Sequence, residues 1–175
     1  MENVFLSLGS NMGDRQNHLD FAISSLAASG FQVLEVSPRY ETEPWGFKAG
    51  QNFLNQVIRL KTEKPAEELM HTSKAIEQQA GRTKSSVGNY EPRPLDIDIL
   101  FYGSEVIHSQ HLIVPHPQLQ FRRFVLVPLA DIAPDFIHTK KFLYYWMNAG
   151  MSRLCGFTRK LTHRSLYGRI DGNSS

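Results

Sequence analysis

The sequence predicts an α+β fold, an antiparallel sheet with its helices on one face. Three observations point there. Four stretches alternate apolar and polar residues at a period of two, as half-buried strands do. Two others space their apolar residues three and four apart, as amphipathic helices do. The order along the chain is strand, helix, strand, strand, helix, strand.

Each element has its own signals. "NVFLSLGSN" alternates Val4, Leu6 and Leu8 against Phe5 and Ser7, a first strand that ends at Gly9. In "GDRQNHLDFAISSLAASG", Leu19, Ile23 and Leu26 share a helical face, with Asp14 as N-cap and Gly30 as the stop. "FQVLEVSPRYET" reads as one second strand, and "EPWGFKAGQ" as a loop. "NFLNQVIRLKT" is the third strand, with Phe53, Asn55, Val57 and Arg59 on one face and Leu54, Gln56, Ile58 and Leu60 on the other. "PAEELMHTSKAIEQQAG" opens with Pro65 in the first turn and closes at Gly81, with Leu69, Ser73, Ile76 and Ala80 as its stripe. A polar loop, "RTKSSVGNYEP", leads to the fourth strand, "RPLDIDILFYG". The resulting β-α-β-β-α-β order is the ferredoxin-like arrangement. Beyond it, residues 105–134 read as a decorated loop with a short apolar segment.

The fourth strand carries an electrostatic problem. Leu95, Ile97, Ile99 and Phe101 are expected on one face, which leaves Asp96 and Asp98 together on the other. Two neighbouring carboxylates that lose hydration need a cation. Arg82, Arg93, Arg122 or Arg123 could supply it as structural salt bridges. So could Mg²⁺, which is usually held by one or two carboxylates plus substrate phosphates. No G-x-x-x-x-G-K-[ST] and no G-x-G-x-x-G occurs. A phosphate ligand would therefore be gripped by side chains, arginine forks above all.

The totals narrow the class. The 175 residues, 41% hydrophobic and 21% charged, suit one soluble domain with a sizeable core. No apolar run is long enough to span a membrane. The first residues, with Glu2 and only a short apolar run, do not read as a signal peptide. Cys155 is the only cysteine, which excludes an intramolecular disulfide and makes a reducing cytoplasm the expected home. The net charge of +2 is uneven: seven Lys/Arg and one acid follow Asp135, whereas 12 Lys/Arg face 16 acids in residues 1–135.

Several stretches together resemble the 6-hydroxymethyl-7,8-dihydropterin pyrophosphokinase family of folate biosynthesis. They are "LGSNMGDR", "SPRYETEPWG", "FLNQV", "EQQAGR", "PRPLDIDIL" and "VPHPQLQFRRFVLVPLADIAP", in order over roughly Val4 to Pro134. The resemblance implies diphosphate transfer from ATP to the pterin alcohol, with two Mg²⁺ ions on Asp96 and Asp98. Arg82 and Arg93 would act with these aspartates in catalysis. Phe53 and Phe124 would sandwich the pterin ring, each stacked pair worth ~0.5–1.5 kcal/mol beyond area burial. Asn55 would read the ring's polar edge, and Thr42, Pro44 and Trp45 would line the pocket. Glu77, Arg82, Lys84, Arg93, Ile99, His116 and Arg122 would meet ATP. "EPWGFKAGQ" and "TKSSVGNYEP" resemble the family's mobile loops.

The chain departs from the family's pattern in places. Lys84 stands where arginine is common, Tyr90 near a usual tryptophan, and His111 and Ile113 where polar or basic residues are frequent. The resemblance ends near residue 135. Residues 1–135 are expected to form the catalytic domain, and the basic, aromatic-rich extension 136–175 to pack on it. Its basic, aromatic composition could also suit RNA, an anionic surface or a partner protein, with packing on the domain the favoured reading. Small-molecule substrates, a monomer and no nucleic-acid partner are expected. The competing classes are another Mg-dependent nucleotide-using transferase on a ferredoxin-like sheet, an inactive homologue, and an RNA-binding module. An RNP-type pattern is absent from the sequence.

Overall fold

The computed structural model describes residues 1–43, 51–82, 92–136 and 158–160. Its elements are β1 (Glu2–Ser10), α1 (Arg15–Ala28), β2 (Gln32–Val36), β3 (Arg39–Thr42), β4 (Phe53–Thr62), α2 (Ala66–Gln79) and β5 (Asp96–Tyr102). Then come β6 (Ile107–His108), β7 (Ile113–Val114), a 3₁₀ turn at Leu119–Phe121, α3 (Arg123–Ile132) and β8 (Thr158–Lys160). The main sheet runs β5-β1-β4-β3-β8, with β2 also paired to β4. Every pairing in it is antiparallel. The result is a mixed α/β fold with an antiparallel sheet and three helices.

Local chemistry explains most boundaries. Asp14 caps α1 by accepting from the Asn17 N–H at 3.1 Å. Gly30 follows α1 at φ +87°, and Gly81 follows α2 at φ +97°, a region that disfavours other residues. Pro65 occupies the N-cap of α2 in extended backbone rather than its first turn. The expected second strand is in fact two, because Pro38 has no N–H for the ladder. Ser37 bridges the break. Its N–H donates to the Val57 carbonyl at 2.9 Å, its Oγ accepts from the Val57 N–H at 3.0 Å, and Gln56 Nε2 donates to its carbonyl at 2.6 Å.

The sheet has a core on each face. On one, α1 and α2 pack Leu19, Leu26, Leu69 and Ile76 against Leu6, Leu8, Ile58 and Leu60, as the periodicity predicts. The other face departs from expectation. There α3 lays Val125 and Leu129 over Phe5, Val57 and Phe101, so the helices are not confined to one side. Pro128 inside α3 hides this helix from sequence reading. Phe101 also belongs to this second core rather than with Leu95, Ile97 and Ile99. A β-bulge is the cause: Phe5 pairs with Phe101 and Leu6 with Ile99, which leaves Leu100 as the extra residue and turns the alternation over.

Leu129 is fully buried in this second core. Leu129→Ala is expected to destabilise the fold by about 2–5 kcal/mol, read as a shift in the urea midpoint at constant slope.

Candidate active site

The site grows from β5. Asp96 lies opposite Gly9 of β1 and Asp98 opposite Ser7, so both carboxylates project from the same face of the sheet. Arginine answers them first. Arg82 Nη1 donates to Asp96 Oδ1 at 2.8 Å, and Arg93 Nη1 to the same oxygen at 3.0 Å. Arg122 Nη1 donates to Asp98 Oδ2 at 2.8 Å, and its Nη2 to Gln118 Oε1 at 2.9 Å. Asp96 Oδ2 and Asp98 Oδ1 accept no hydrogen bond among the described residues. Because β5 is an outer strand, the two side chains keep 27% and 31% of their exposure.

Two more groups bear on the pair. Glu77 comes from the last turn of α2, where Oε1 accepts from the Ile97 N–H at 2.8 Å and lies 2.6 Å from Arg82 Nη1. Burial, then the charge of Asp96, raises its pKa to about 7. Burial and Asp96 likewise raise Asp98 to about 6, against the pull of Arg122. His116 moves the other way, to about 4, through burial and the positive Arg122. Its 3.9 Å approach to Asp98 Oδ2 is therefore no ion pair at neutral pH. Nδ1 accepts from the Gln118 N–H at 3.2 Å, which leaves the proton on Nε2, the nitrogen nearest Asp98. The His116 N–H donates to the Leu100 carbonyl at 3.1 Å, anchoring this segment on β5 at its bulge.

Glu77, Arg82, Asp96, Asp98, Ile99 and His116 line one cleft of about 370 Å³. His111 and Ile113 stand at the same cleft, beside Met70 and Leu112. The lining mixes charged and polar groups with apolar ones such as Met70, Ile99 and Leu112, a combination that suits a ligand with both charged and apolar parts.

A second group adjoins the first. On β4, Asn55 is 3% exposed, and its Nδ2 donates to Thr42 Oγ1 at 2.8 Å. Gly9 separates β4 from β5 here, opposite both Asn55 and Asp96. A Cβ on Gly9 would touch Asn55 Oδ1 at 3.5 Å, Phe53 Cδ1 at 3.9 Å and Asp96 Cβ at 4.0 Å. The bare backbone thus forms a floor shared by the Phe53–Asn55 pair and the carboxylates. Phe124 half-covers the second core, and the Arg122 guanidinium lies 5.8 Å from its ring centroid. Pro44, Trp45 and Lys84 lie outside the described residues, as do Tyr90 and most of both loops.

Sequence reasoning assigned no role to Asn11. It is 3% exposed, and its Oδ1 accepts from the Arg93 N–H at 2.7 Å while its own N–H donates to the Arg93 carbonyl at 3.2 Å. This two-way clamp fixes where Arg93 enters the site. Only its place in "LGSN", just past a strand end, could have signalled it.

Paired carboxylates, three arginines, a neutral histidine and a half-apolar cleft, on an antiparallel sheet, define a nucleotide-handling phosphoryl transferase by class. The chain belongs to the 7,8-dihydro-6-hydroxymethylpterin-pyrophosphokinase (HPPK) family, whose model matches residues 5–134. It is 46% identical over 136 residues to a 2-amino-4-hydroxy-6-hydroxymethyldihydropteridine pyrophosphokinase of Porphyromonas gingivalis, covering 77% of this chain and 92% of that one. The enzyme of the same name from Aquifex aeolicus is 41% identical over 138 residues, covering 79% and 84%. The fold is similar to that of wild-type HPPK-DHPS of Plasmodium falciparum with SDX-DHP, at a TM-score of 0.63 and 17% identity. That likeness covers 87% of this chain but only 44% of the longer protein.

The raised pKa of Glu77 has a stability consequence. Folding favours its protonated form, so this contribution is complete below the usual value of 4.5 and is lost as pH rises through about 7. In protein free of metal and nucleotide, the melting temperature of Glu77→Gln relative to the unchanged chain is expected to rise across that window. Thermal melts at half-unit pH steps check it, and a constant difference would refute the assignment.

Proposed function

We propose that this chain transfers diphosphate from ATP to 6-hydroxymethyl-7,8-dihydropterin, giving AMP and the pterin diphosphate of folate biosynthesis. The observation that carries this reading is the junction at Gly9, where a buried amide and an aromatic ring adjoin a metal-type carboxylate pair. In the reaction the pterin's hydroxymethyl oxygen attacks the β-phosphorus of ATP. A new O–Pβ bond forms, the bridging bond from Pβ to the α-phosphate oxygen breaks, and AMP leaves with that oxygen. The hydroxyl proton passes to solvent or phosphate.

Asp96 and Asp98 fit Mg²⁺. They are hard oxygen donors, each with one oxygen not engaged by the described residues, on one face of one strand. Among the described residues no third acid, histidine or cysteine completes a protein-only cage, which suits a metal that takes its remaining ligands from phosphates and water. Bound there, two such ions would neutralise phosphate charge and lower the pKa of the attacking hydroxyl.

The protein's own groups do the rest by position and charge. Arg82, Arg93 and Arg122 hydrogen-bond the aspartates, and the same guanidinium groups would meet phosphate oxygens of a nucleotide held at the pair. His116 offers its Nε2 proton as a neutral hydrogen-bond donor at the same end of the cleft. Glu77 orients Arg82, and Ile99 lines the cleft where the nucleoside body would lie. Asn55 and Thr42 meet the pterin's polar edge while Phe53 and Phe124 take its faces. By the family resemblance, Pro44 and Trp45 would line the pterin pocket, Lys84 would meet ATP, and closing the two loops would exclude water.

Three broader readings go with this one. The strand order β5-β1-β4-β3 supports the ferredoxin-like topology. The pairing of β8 with β3 supports an extension packed on a domain of residues 1–135. A monomeric cytoplasmic enzyme using small-molecule substrates is the third reading; among the described residues no helix is long and apolar enough to cross a membrane.

The test is ³¹P NMR of the protein with ATP, Mg²⁺ and the pterin. AMP and a pterin diphosphate should appear, and Asp96→Ala and Asp98→Ala should each lower the rate by roughly 10²–10³-fold or more. Turnover unchanged by either substitution would remove the carboxylates from the mechanism. Phe124→Ala should raise the KM for the pterin about 2- to 12-fold, the loss of one stacked ring, with the KM for ATP held.

A further inference from the structure

The two walls of the proposed pterin pocket stand on different elements. Thr42, Phe53 and Asn55 belong to β3 and β4, whereas Phe124 opens α3. A flat ring stacks well only if these walls keep a set spacing, so something must hold α3 at the right height above the sheet.

Local structure does little of this. Arg122, at the N-cap of α3, gives no side-chain cap, and neither does Ala133 at the other end. Pro128 lacks the N–H that would bond the Phe124 carbonyl in the regular i to i−4 pattern, so the turn bearing Phe124 is the weak one. Val125 and Leu129 pack on the second core, but apolar packing has no direction of its own.

A directional bond joins the pterin-facing strand β3 to α3. Tyr40 Oη donates to Asp131 Oδ2 at 2.5 Å, joining β3 to α3 across 91 residues of sequence. Tyr40 is 6% exposed and pairs in register with Asn55, while Thr42 pairs with Phe53. Asp131 follows Phe124 by seven residues, two helical turns, so both stand on the same side of α3. The bond thus runs from the cross-strand neighbour of Asn55 to the helix side that carries Phe124.

We propose that the Tyr40–Asp131 hydrogen bond is a strut that sets the spacing between Phe124 and the Phe53–Asn55 wall. Tyr40 and Asp131 are then positioning residues for the pterin. The assignment rests on the function proposed above. It is selective for one substrate, because Arg122 is held separately by Asp98 and Gln118, and the cleft between α2 and β5 has no part in the strut.

The test uses the full chain with Tyr40→Phe, Asp131→Ala, the double substitution and Asp131→Asn. Tyr40→Phe removes one oxygen and leaves the buried ring, while asparagine at 131 keeps an acceptor. Steady-state kinetics with both substrates varied, and thermal melts, are the readouts. Each single loss is expected to raise the KM for the pterin by roughly three- to ten-fold, the range for one hydrogen bond. The KM for ATP should stay within about twofold. The double substitution should be no worse than the worse single, and Asp131→Asn should recover most of the loss. An unchanged pterin KM overturns the strut, whatever happens to the melting temperature. So do an equal rise for both substrates and additive singles. If the unchanged chain turns over while the singles leave the pterin KM alone, the strut alone falls. If the unchanged chain makes no pterin diphosphate, the proposed function falls and the strut's role with it.

Discussion

Two carboxylates on one face of one strand are the constraint around which this molecule is arranged. Asp96 and Asp98 cannot both stay ionised beside each other without positive charge nearby. Three elements therefore converge on β5. Arg82 comes from the end of α2, Arg93 from the approach to β5, and Arg122 from the entry to α3. The compensation is incomplete. Burial, with the charge of Asp96 beside them, still raises the pKa values of Asp98 and Glu77. Replacing such charged groups by well-packed apolar ones is often neutral or stabilising, so stability alone gives little reason for the cluster.

The rest of the sheet face follows from the same strand. β1 lies beside β5 and opposes the acids with Ser7 and Gly9, small residues that leave room above them. On the far side of Gly9, β4 presents Asn55 and Phe53. The carboxylates of β5 and the Asn55–Phe53 pair of β4 thereby flank β1 and come close to each other across Gly9. α3 roofs this face with Val125 and Leu129 while delivering Arg122 to the charged half and Phe124 to the apolar half. One short helix thus touches both the carboxylate cluster and the face beside Asn55 and Phe53 under the proposed assignment, and its placement matters more than its length suggests.

Much of this was legible beforehand. Period-two and period-3.6 patterns located β1, α1, β4, α2 and β5, since burial on one face dictates which residue types recur. Asp14 and the glycines at 30 and 81 marked helix ends because their chemistry is local. The faces of β4 and the shared face of Asp96 and Asp98 were also readable from alternation. Other features were not. Pro128 obscured α3, Pro38 split a strand that looked continuous, and the bulge at Leu100 moved Phe101 to the opposite core. Asn11 passed without a role because its partner, the Arg93 backbone, is 82 residues away.

By itself, the sequence determined the element order, the acidic face of β5, the arginine-rich approaches to it and the family to which the chain belongs. Each is a matter of residue type at a spacing, and spacing survives without a third dimension. Tertiary structure alone decided which arginine meets which carboxylate, that α3 covers the second face, and that Tyr40 reaches Asp131. It also decided that His116 is neutral with its proton on Nε2, because a pKa reflects burial and neighbours rather than residue type. Those outcomes depend on distances between groups far apart in the chain, and only the packed sheet supplies them.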